Sequence, residues 1–217
     1  MNLEKLFETQ AQLDGHIYTK HPELRGQDNL DWKLLALQVE LAECANEWRG
    51  FKKWSTDQEP RTFEKVECAT CQGTGDENYE MVQEAAEGNG SHEYIQCEEC
   101  KGTGYDGERN PLLEEYVDCL HFALSIGIEL QIYNFNFISI NSQQPTMDLF
   151  MEVMAFTTEL YWHHRNDGMI KEKESTYKSV LYHLLDLGQT LGFEWEQVEA
   201  AYYAKNKVNH ERQESGY

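Results

Sequence analysis

Positive charge is what this chain has least of. Its 217 residues include 18 lysines and arginines against 39 aspartates and glutamates, a formal net charge of -21. That deficit argues against a non-specific DNA- or RNA-binding role, which needs a basic surface. It favours solubility and draws cations, so a small anionic substrate has to be met by bound metals and a few local basic residues. Long apolar runs are missing too. The longest candidate, around Phe122 to Ile132, is interrupted by Glu129, and nothing approaches the roughly 18 residues of a membrane span. Met1-Asn2-Leu3-Glu4-Lys5-Leu6 lacks the layout of a signal peptide. A cytoplasmic location is the expectation, and six cysteines there read as thiols or metal ligands before disulfides.

Alternating strand patterns are scarce outside the middle of the chain, whereas helical periods are plentiful. Apolar residues at helical spacing predict helices over 3–20, 30–50 (ending near Gly50), 112–131 (with Pro111 at its first turn), 146–165, 174–191 and 194–208. The fold class is therefore all-α, a helical bundle. Residues 56–110 differ. They are rich in Gly and Glu, hold four of the six cysteines, and carry 14 acidic against 4 basic residues. They read as a module inserted into a core formed by 1–55 and 111–217, since loops of a rigid scaffold tolerate insertions.

Within the module, Cys68-x-x-Cys71-Gln-Gly-Thr-Gly75 is echoed by Cys97-x-x-Cys100-Lys-Gly-Thr-Gly104. Two C-x-x-C pairs followed by glycine turns are a zinc pattern: the spacing brings two thiolates to one ion, and the glycines let backbone N–H groups turn towards sulfur. One structural Zn²⁺ held by Cys68, Cys71, Cys97 and Cys100 is expected, with Glu87 to Ser91 turning a hairpin between the knuckles. The alternative, two disulfides or a redox pair, gives the Gly-Thr-Gly echo no role. The repeat resembles the cysteine-rich knuckles of DnaJ-type chaperones and zinc ribbons, which implies zinc and not chaperoning. Cys44 and Cys119 fall on helix core faces and read as buried thiols.

The core carries two further signatures, Glu40-x-x-Glu43 and Glu115-x-x-Asp118. Carboxylates three apart share a helix face. Each pair sits beside an apolar stripe: Leu34, Leu37, Leu41, Cys44 and Trp48 in one, Leu113, Val117, Leu120 and Leu124 in the other. Packing the stripes together lets four carboxylates converge. They repel and need cations, and oxygen ligands select Mg²⁺ or Mn²⁺, which most often work on phosphates. A lone E-x-x-E is usually a solvated face. A third cluster, Lys205, Asn206, Asn209, His210, Arg212 and Gln213, is unusually basic and amide-rich for so acidic a chain. It is suited to phosphate oxygens, although composition alone would equally give a frayed, solvated tail.

Taken together, Gln10, Asp14, Glu40-x-x-Glu43, Phe51-Lys52-x-Trp54, Glu115-x-x-Asp118 and Lys205-Asn206-x-x-Asn209-x-x-Arg212 resemble the dimeric, all-α dUTP diphosphatases, which belong with the MazG-like nucleoside triphosphate pyrophosphatases. The likeness covers about 1–55 and 111–217 and looks nearest to the form in Gram-positive bacteria and their phages, so the cytoplasm would be bacterial or that of a phage host. The resemblance implies a homodimer and hydrolysis of dUTP to dUMP and pyrophosphate, with water attacking the α-phosphorus. It implies two or three Mg²⁺ (Mn²⁺ as a substitute) on Glu40, Glu43, Glu115 and Asp118, with Glu40 or Glu43 taking the water proton. Lys52, Lys205 and Arg212 would screen the triphosphate, and Asn206 and Asn209 would donate to phosphate or sugar oxygens. Gln10 and Asp14 would read the pyrimidine edge, with Trp48, Phe51 or Trp54 stacking on the ring. Trp54, beyond Gly50, is the better substrate candidate, because Trp48 continues an apolar stripe. His163-His164 read as surface residues at a helix end.

Two other functions compete. One is a pyrophosphatase for another nucleotide, such as dCTP or a modified pyrimidine triphosphate, since few pocket residues set base choice. The other is a nucleotide-sensing regulatory protein in which the insert docks a protein partner. No membrane or nucleic-acid partner is expected.

Overall fold

The computed structural model describes residues 2–81, 92–133, 143–166 and 170–216. Two compact units emerge, one from residues 1–60 with 112–217 and one from 61–111. The first is helical. Helix α1 spans Leu3–Lys20. The Asn2 side chain caps it by accepting from the Lys5 N–H, and Lys20 lies in its last turn, where a cation complements the helix dipole. A 3₁₀ turn at Pro22–Leu24 leads to α2, Leu30–Trp48. Helix α2 buries Leu30, Leu34, Leu37, Leu41 and Cys44 along one stripe, together with Lys33. The helix ends close to Gly50 as expected, and its left-handed terminal residue is Arg49 (φ 63°). The Arg49 guanidinium is held by Asp57, at 2.9 Å from the carbonyl and 3.0 Å from Oδ2. Glycine is required at 50: a Cβ there would meet the Trp48 indole at 2.3 Å.

Helix α3, Pro111–Glu129, is buried on nearly every side, at Leu112, Tyr116, Val117, Leu120, Ala123, Leu124 and Ile126. A helix buried on most of its sides belongs at the centre of a bundle, and α3 occupies that place with one acidic face left half-buried. Around it run α4 (Thr146–Arg165), α5 (Ile170–Thr190) and α6 (Trp195–Ser215). Helix α1 packs along α6, α2 against α4, and α4 against α5. Tyr116 and Tyr177 are fully buried, and each donates its hydroxyl to a backbone carbonyl, of Leu184 and Ala123 respectively.

Three expectations are corrected. Helix α5 begins at Ile170, earlier than 174. Helix α6 runs on to Ser215, so the basic, amide-rich segment is ordered helix and no frayed tail. Its end is held to α1 by Lys20 and Glu214, at 2.7 Å, and by the stacked rings of His16 and His210. His163 and His164 are half-buried, not free on the surface: His163 meets the Thr176 hydroxyl at 3.1 Å and His164 meets Asp28 at 2.6 Å. Both have partners because α4 is covered here by neighbouring segments, which periodicity within one helix does not reveal.

The second unit holds a two-stranded antiparallel sheet, β1 (Glu64–Glu67) with β2 (Tyr105–Arg109), pairing Glu64 with Arg109 and Lys65 with Glu108. Both strands are exposed along their length. Among its described residues the only buried cluster is Cys68, Cys71, Cys97 and Cys100. The expected hairpin at 87–91 lies outside the described residues. In the described residues no helix is long and apolar enough to cross a membrane.

Candidate active site

Helices α2 and α3 bring their acidic faces together as the stripes require. Oxygens of Glu40, Glu43 and Glu115 lie within 4.8 Å of one another. The fourth carboxylate, Asp118, makes a short ion pair with Lys205 of α6. Crowding marks the group. Burial, then the charges of Asp118, Glu43 and Glu115, push the Glu40 carboxyl up to about 7, with Lys205 opposing. Burial, then Asp118 and Glu43, push Glu115 up to about 7 as well. Carboxyls that hold protons near neutrality through burial and mutual repulsion could hold a cation.

Glu40 and Asp118 also line a cavity of about 440 Å³, with Gln10, Asp14, His121, Ser125, Lys205, Asn209 and Arg212. Lys205, Asn209 and Arg212 recur at i, i+4 and i+7 on α6, one helical stripe. One wall is thus anionic and another carries cations and an amide, a division that suits a phosphate chain bridged by metal ions.

The floor is a buried polar network between α1, α3 and α6. The Gln10 amide donates to Asp14 at 2.7 Å, and the Ser125 hydroxyl donates to the other Asp14 oxygen at 2.7 Å. The Gln10 carbonyl oxygen accepts from the Tyr202 hydroxyl and from His121 Nδ1, each at 2.8 Å. His121 and Tyr202 stack with centroids 4.0 Å apart. Burial, then the nearby Lys205 charge, pull His121 down to about 3, with the Tyr202 carbonyl opposing, so the ring is neutral. His121 Nε2 is buried without a hydrogen-bond partner among the described residues.

A family model described as dUTPase matches residues 2–68 and 103–217. The chain belongs to the dUTPase family. Searches of curated proteins and of solved structures give no significant match. The two matched stretches carry every residue of the carboxylate cluster and of the cavity, and they exclude most of the cysteine module.

The structure gathers Gln10, Asp14, Glu40, Asp118, Lys205, Asn209 and Arg212 at one cavity, with Glu43 and Glu115 beside it. It does not gather the rest of the expected set. Lys52 and Trp54 are not among the residues lining the cavity; Lys52 lies over the Phe51 ring, and Trp54 is 78 % exposed with its edge on Phe51. Trp48 packs on Phe150 in the core. Asn206 is buried, with its Nδ2 lacking a partner among the described residues. The aromatic side chains that reach the cavity are Trp32 and Phe122, which sequence reasoning missed along with His121, Ser125, Tyr202 and Lys33. Their signal was present but ambiguous: His121 and Ser125 are polar positions four apart within the apolar run of α3.

In the dUTPase's second unit, the four cysteine sulfurs lie within 4.8 Å of one another. The Gly-Thr-Gly echo has a physical basis. The Gly75 N–H donates to Cys71 Sγ and the Gly104 N–H to Cys100 Sγ, each at 3.2 Å. Both glycines have φ +78°, and a Cβ would strike the Gly102 carbonyl from Gly75 and the Gly73 carbonyl from Gly104. The knuckles also exchange backbone bonds: Cys68 N–H to the Gly104 carbonyl and Cys97 N–H to the Gly75 carbonyl, both 2.9 Å. Burial opposes the Cys100 thiolate, but the Gly104 N–H and its sulfur neighbours outweigh it and pull the thiol down to about 7. Four converging sulfurs supplied with N–H donors could hold Zn²⁺.

Proposed function

We propose that this dUTPase hydrolyses dUTP to dUMP and pyrophosphate, using Mg²⁺ held by Glu40, Glu43, Glu115 and Asp118. One observation carries the reading: three mutually repelling carboxylates at the edge of a cavity whose other wall presents Lys205, Asn209 and Arg212. All four proposed ligands offer hard oxygens, which suits Mg²⁺, and the carboxyls of Glu40 and Glu115, raised by burial and by neighbouring carboxylates, support the reading. When bound, Mg²⁺ offsets phosphate charge and eases deprotonation of water.

The chain's own groups do the rest. Glu40 or Glu43 accepts the proton from the water that attacks the α-phosphorus. The bond to the bridging oxygen breaks, and pyrophosphate leaves with it. Lys205, Asn209 and Arg212 hold the departing phosphates. Lys205 is shared with Asp118 in the resting site, so an arriving triphosphate competes for it. The neutral His121, with an unpaired Nε2, offers an acceptor that matches the imide N–H of uracil and meets the ring nitrogen of cytosine lone pair to lone pair. That favours dUTP over dCTP. Gln10 and Asp14 act behind His121 rather than on the base.

Two assembly features complete the reading. Cys68, Cys71, Cys97 and Cys100 hold one structural Zn²⁺, leaving no open position for chemistry. The outer face of α2 and α4 exposes Leu35 (62 %), Val39 (48 %), Met151 (62 %) and Trp162 (58 %), an apolar patch of the kind a second copy would cover. Trp32 lines both a cavity on that face and the nucleotide cavity, which would couple assembly to the site.

The test is product analysis by ion-exchange chromatography, with each common dNTP and NTP, in Mg²⁺ and in EDTA. Mg²⁺-dependent formation of dUMP and pyrophosphate from dUTP, with dCTP spared, is the expected result. Equal action on several bases would overturn the base assignment and keep the reaction. No turnover of any nucleotide would point to nucleotide sensing instead.

A further inference from the structure

A lysine lies buried beneath the cavity. Lys33 is 1 % exposed, and an ammonium in that position has to be paired. Its Nζ lies 2.8 Å from Glu129, 2.9 Å from the Tyr18 hydroxyl and 3.6 Å from Asp14 Oδ2. Of these partners Asp14 alone lines the nucleotide cavity, and the hydrogen bonds that begin there end at His121.

The direction of those bonds is forced one group at a time. Beside an ammonium, Asp14 is a carboxylate, and a carboxylate only accepts. Gln10 must therefore present its NH₂ to Asp14, at 2.7 Å. Its carbonyl oxygen is left facing Tyr202 and His121, and that oxygen can only accept, so Tyr202 donates O–H and His121 donates Nδ1–H. In a neutral imidazole the other nitrogen then carries a lone pair, and this is the unpartnered Nε2. We propose that Lys33 is a positioning residue for base selection: through Asp14 and Gln10, its charge fixes His121 as the Nδ1–H tautomer and so makes the cavity accept an N–H from the base. The inference rests on the dUTP reading for its consequence, though not for the tautomer itself.

Without the cation the buried Asp14 carboxyl can take up a proton, and the Gln10 amide is then free to turn over with its oxygen accepting from Asp14. Its NH₂ would then face His121 Nδ1, and the ring proton would move to Nε2, turning the acceptor into a donor that suits cytosine. The test is Lys33→Met, with Lys33→Arg as the conservative rescue and Glu129→Gln as a control that removes another Lys33 partner and leaves the relay intact. Long-range ¹H–¹⁵N NMR on histidine-labelled protein, with His121 assigned by its loss in His121→Gln, reads the tautomer directly. Wild type, Lys33→Arg and Glu129→Gln should show an unprotonated Nε2, and Lys33→Met a protonated one. In kinetics, Lys33→Met should raise KM for dUTP about 10-fold with little change in kcat, and lower the preference for dUTP over dCTP by a similar factor, the cost of one mismatched buried hydrogen bond.

An unchanged tautomer in Lys33→Met, or a fall in kcat at constant KM, would overturn the proposal, as would an equal tautomer shift in Glu129→Gln. If Lys33→Met does not fold, Asp14→Asn removes the charge that orients Gln10 at nearly constant volume, and a single Nδ1–H tautomer there would also overturn it. Wild-type protein that spares dUTP would overturn the dUTP reading, and the NMR comparison would still decide the relay.

Discussion

The helical core and the cysteine module both gather groups that repel one another when ionised, but they hold them by different means. In the core, Glu40, Glu43, Glu115 and Asp118 stand on helices already fixed by Leu37, Leu41, Leu120 and Leu124, all fully buried. In the module, the one buried hydrophobic cluster among the described residues is the four cysteines, and its strands are exposed throughout. The core can therefore wait for its cations with its fold intact. The module's fold is organised around its thiol quartet. On the reading proposed above, metals would enable chemistry in the core, and in the module one would replace an apolar interior that about fifty residues cannot build.

Several measurements would break or sharpen that contrast. The largest effect is expected from Glu43→Gln, which should lower turnover by about 100-fold or more while far-UV circular dichroism and thermal midpoint stay near wild type. A collapse of the helical signal would show that the carboxylates also hold the core together. Next, chelation of Zn²⁺ or Cys97→Ser should open residues 61–107 to protease and leave the helical bundle resistant. Unchanged cleavage would mean that the module has another source of stability.

In the opposite direction, Leu120→Ala should cost about 2–5 kcal/mol in denaturant unfolding of the core, with the stoichiometry of Zn²⁺ measured by a thiol-displacement assay unaltered. Smaller still is the effect of pH on the metal-free core. Glu40 and Glu115 have folded values of about 7, raised above the ordinary carboxylate range. Between that range and about 7 the folded protein binds more protons than the unfolded chain, so stability falls as pH rises through this window. The thermal midpoint in EDTA should decline from pH 5 to pH 7.5, and Mg²⁺ should restore more at pH 7.5 than at pH 5. A midpoint that rises with pH in EDTA would mean the carboxylates are already paired.

Most of this fold was legible because its signals are local. The stripe of α2, the span of α1 and the doubled Cys-x-x-Cys knuckles each act within a few residues, and each appears where periodicity and spacing put it. Half of the site was legible for the same reason: Glu40 and Glu43, Glu115 and Asp118, and the α6 stripe of Lys205, Asn209 and Arg212 are all one-helix patterns. The errors fall where a contact joins distant segments. The helix was read as ending near Gly50, yet the residue that closes it is Arg49, stabilised by Asp57, and the glycine answers to the Trp48 ring. Trp54 was preferred as a stacking residue because it stands in a loop, but the aromatic residues facing the cavity are Trp32 and Phe122.

By itself, then, the sequence determined the helices, the acidic pairs, the thiol quartet and the family, because each depends on residues close together along the chain or on their order. Only the tertiary structure decided the chemistry of the floor. Lys33, Asp14, Gln10 and His121 come from three helices, and none of them announces its partner in sequence. Whether a buried histidine donates or accepts depends on which neighbour is charged, and helix packing alone chose that neighbour.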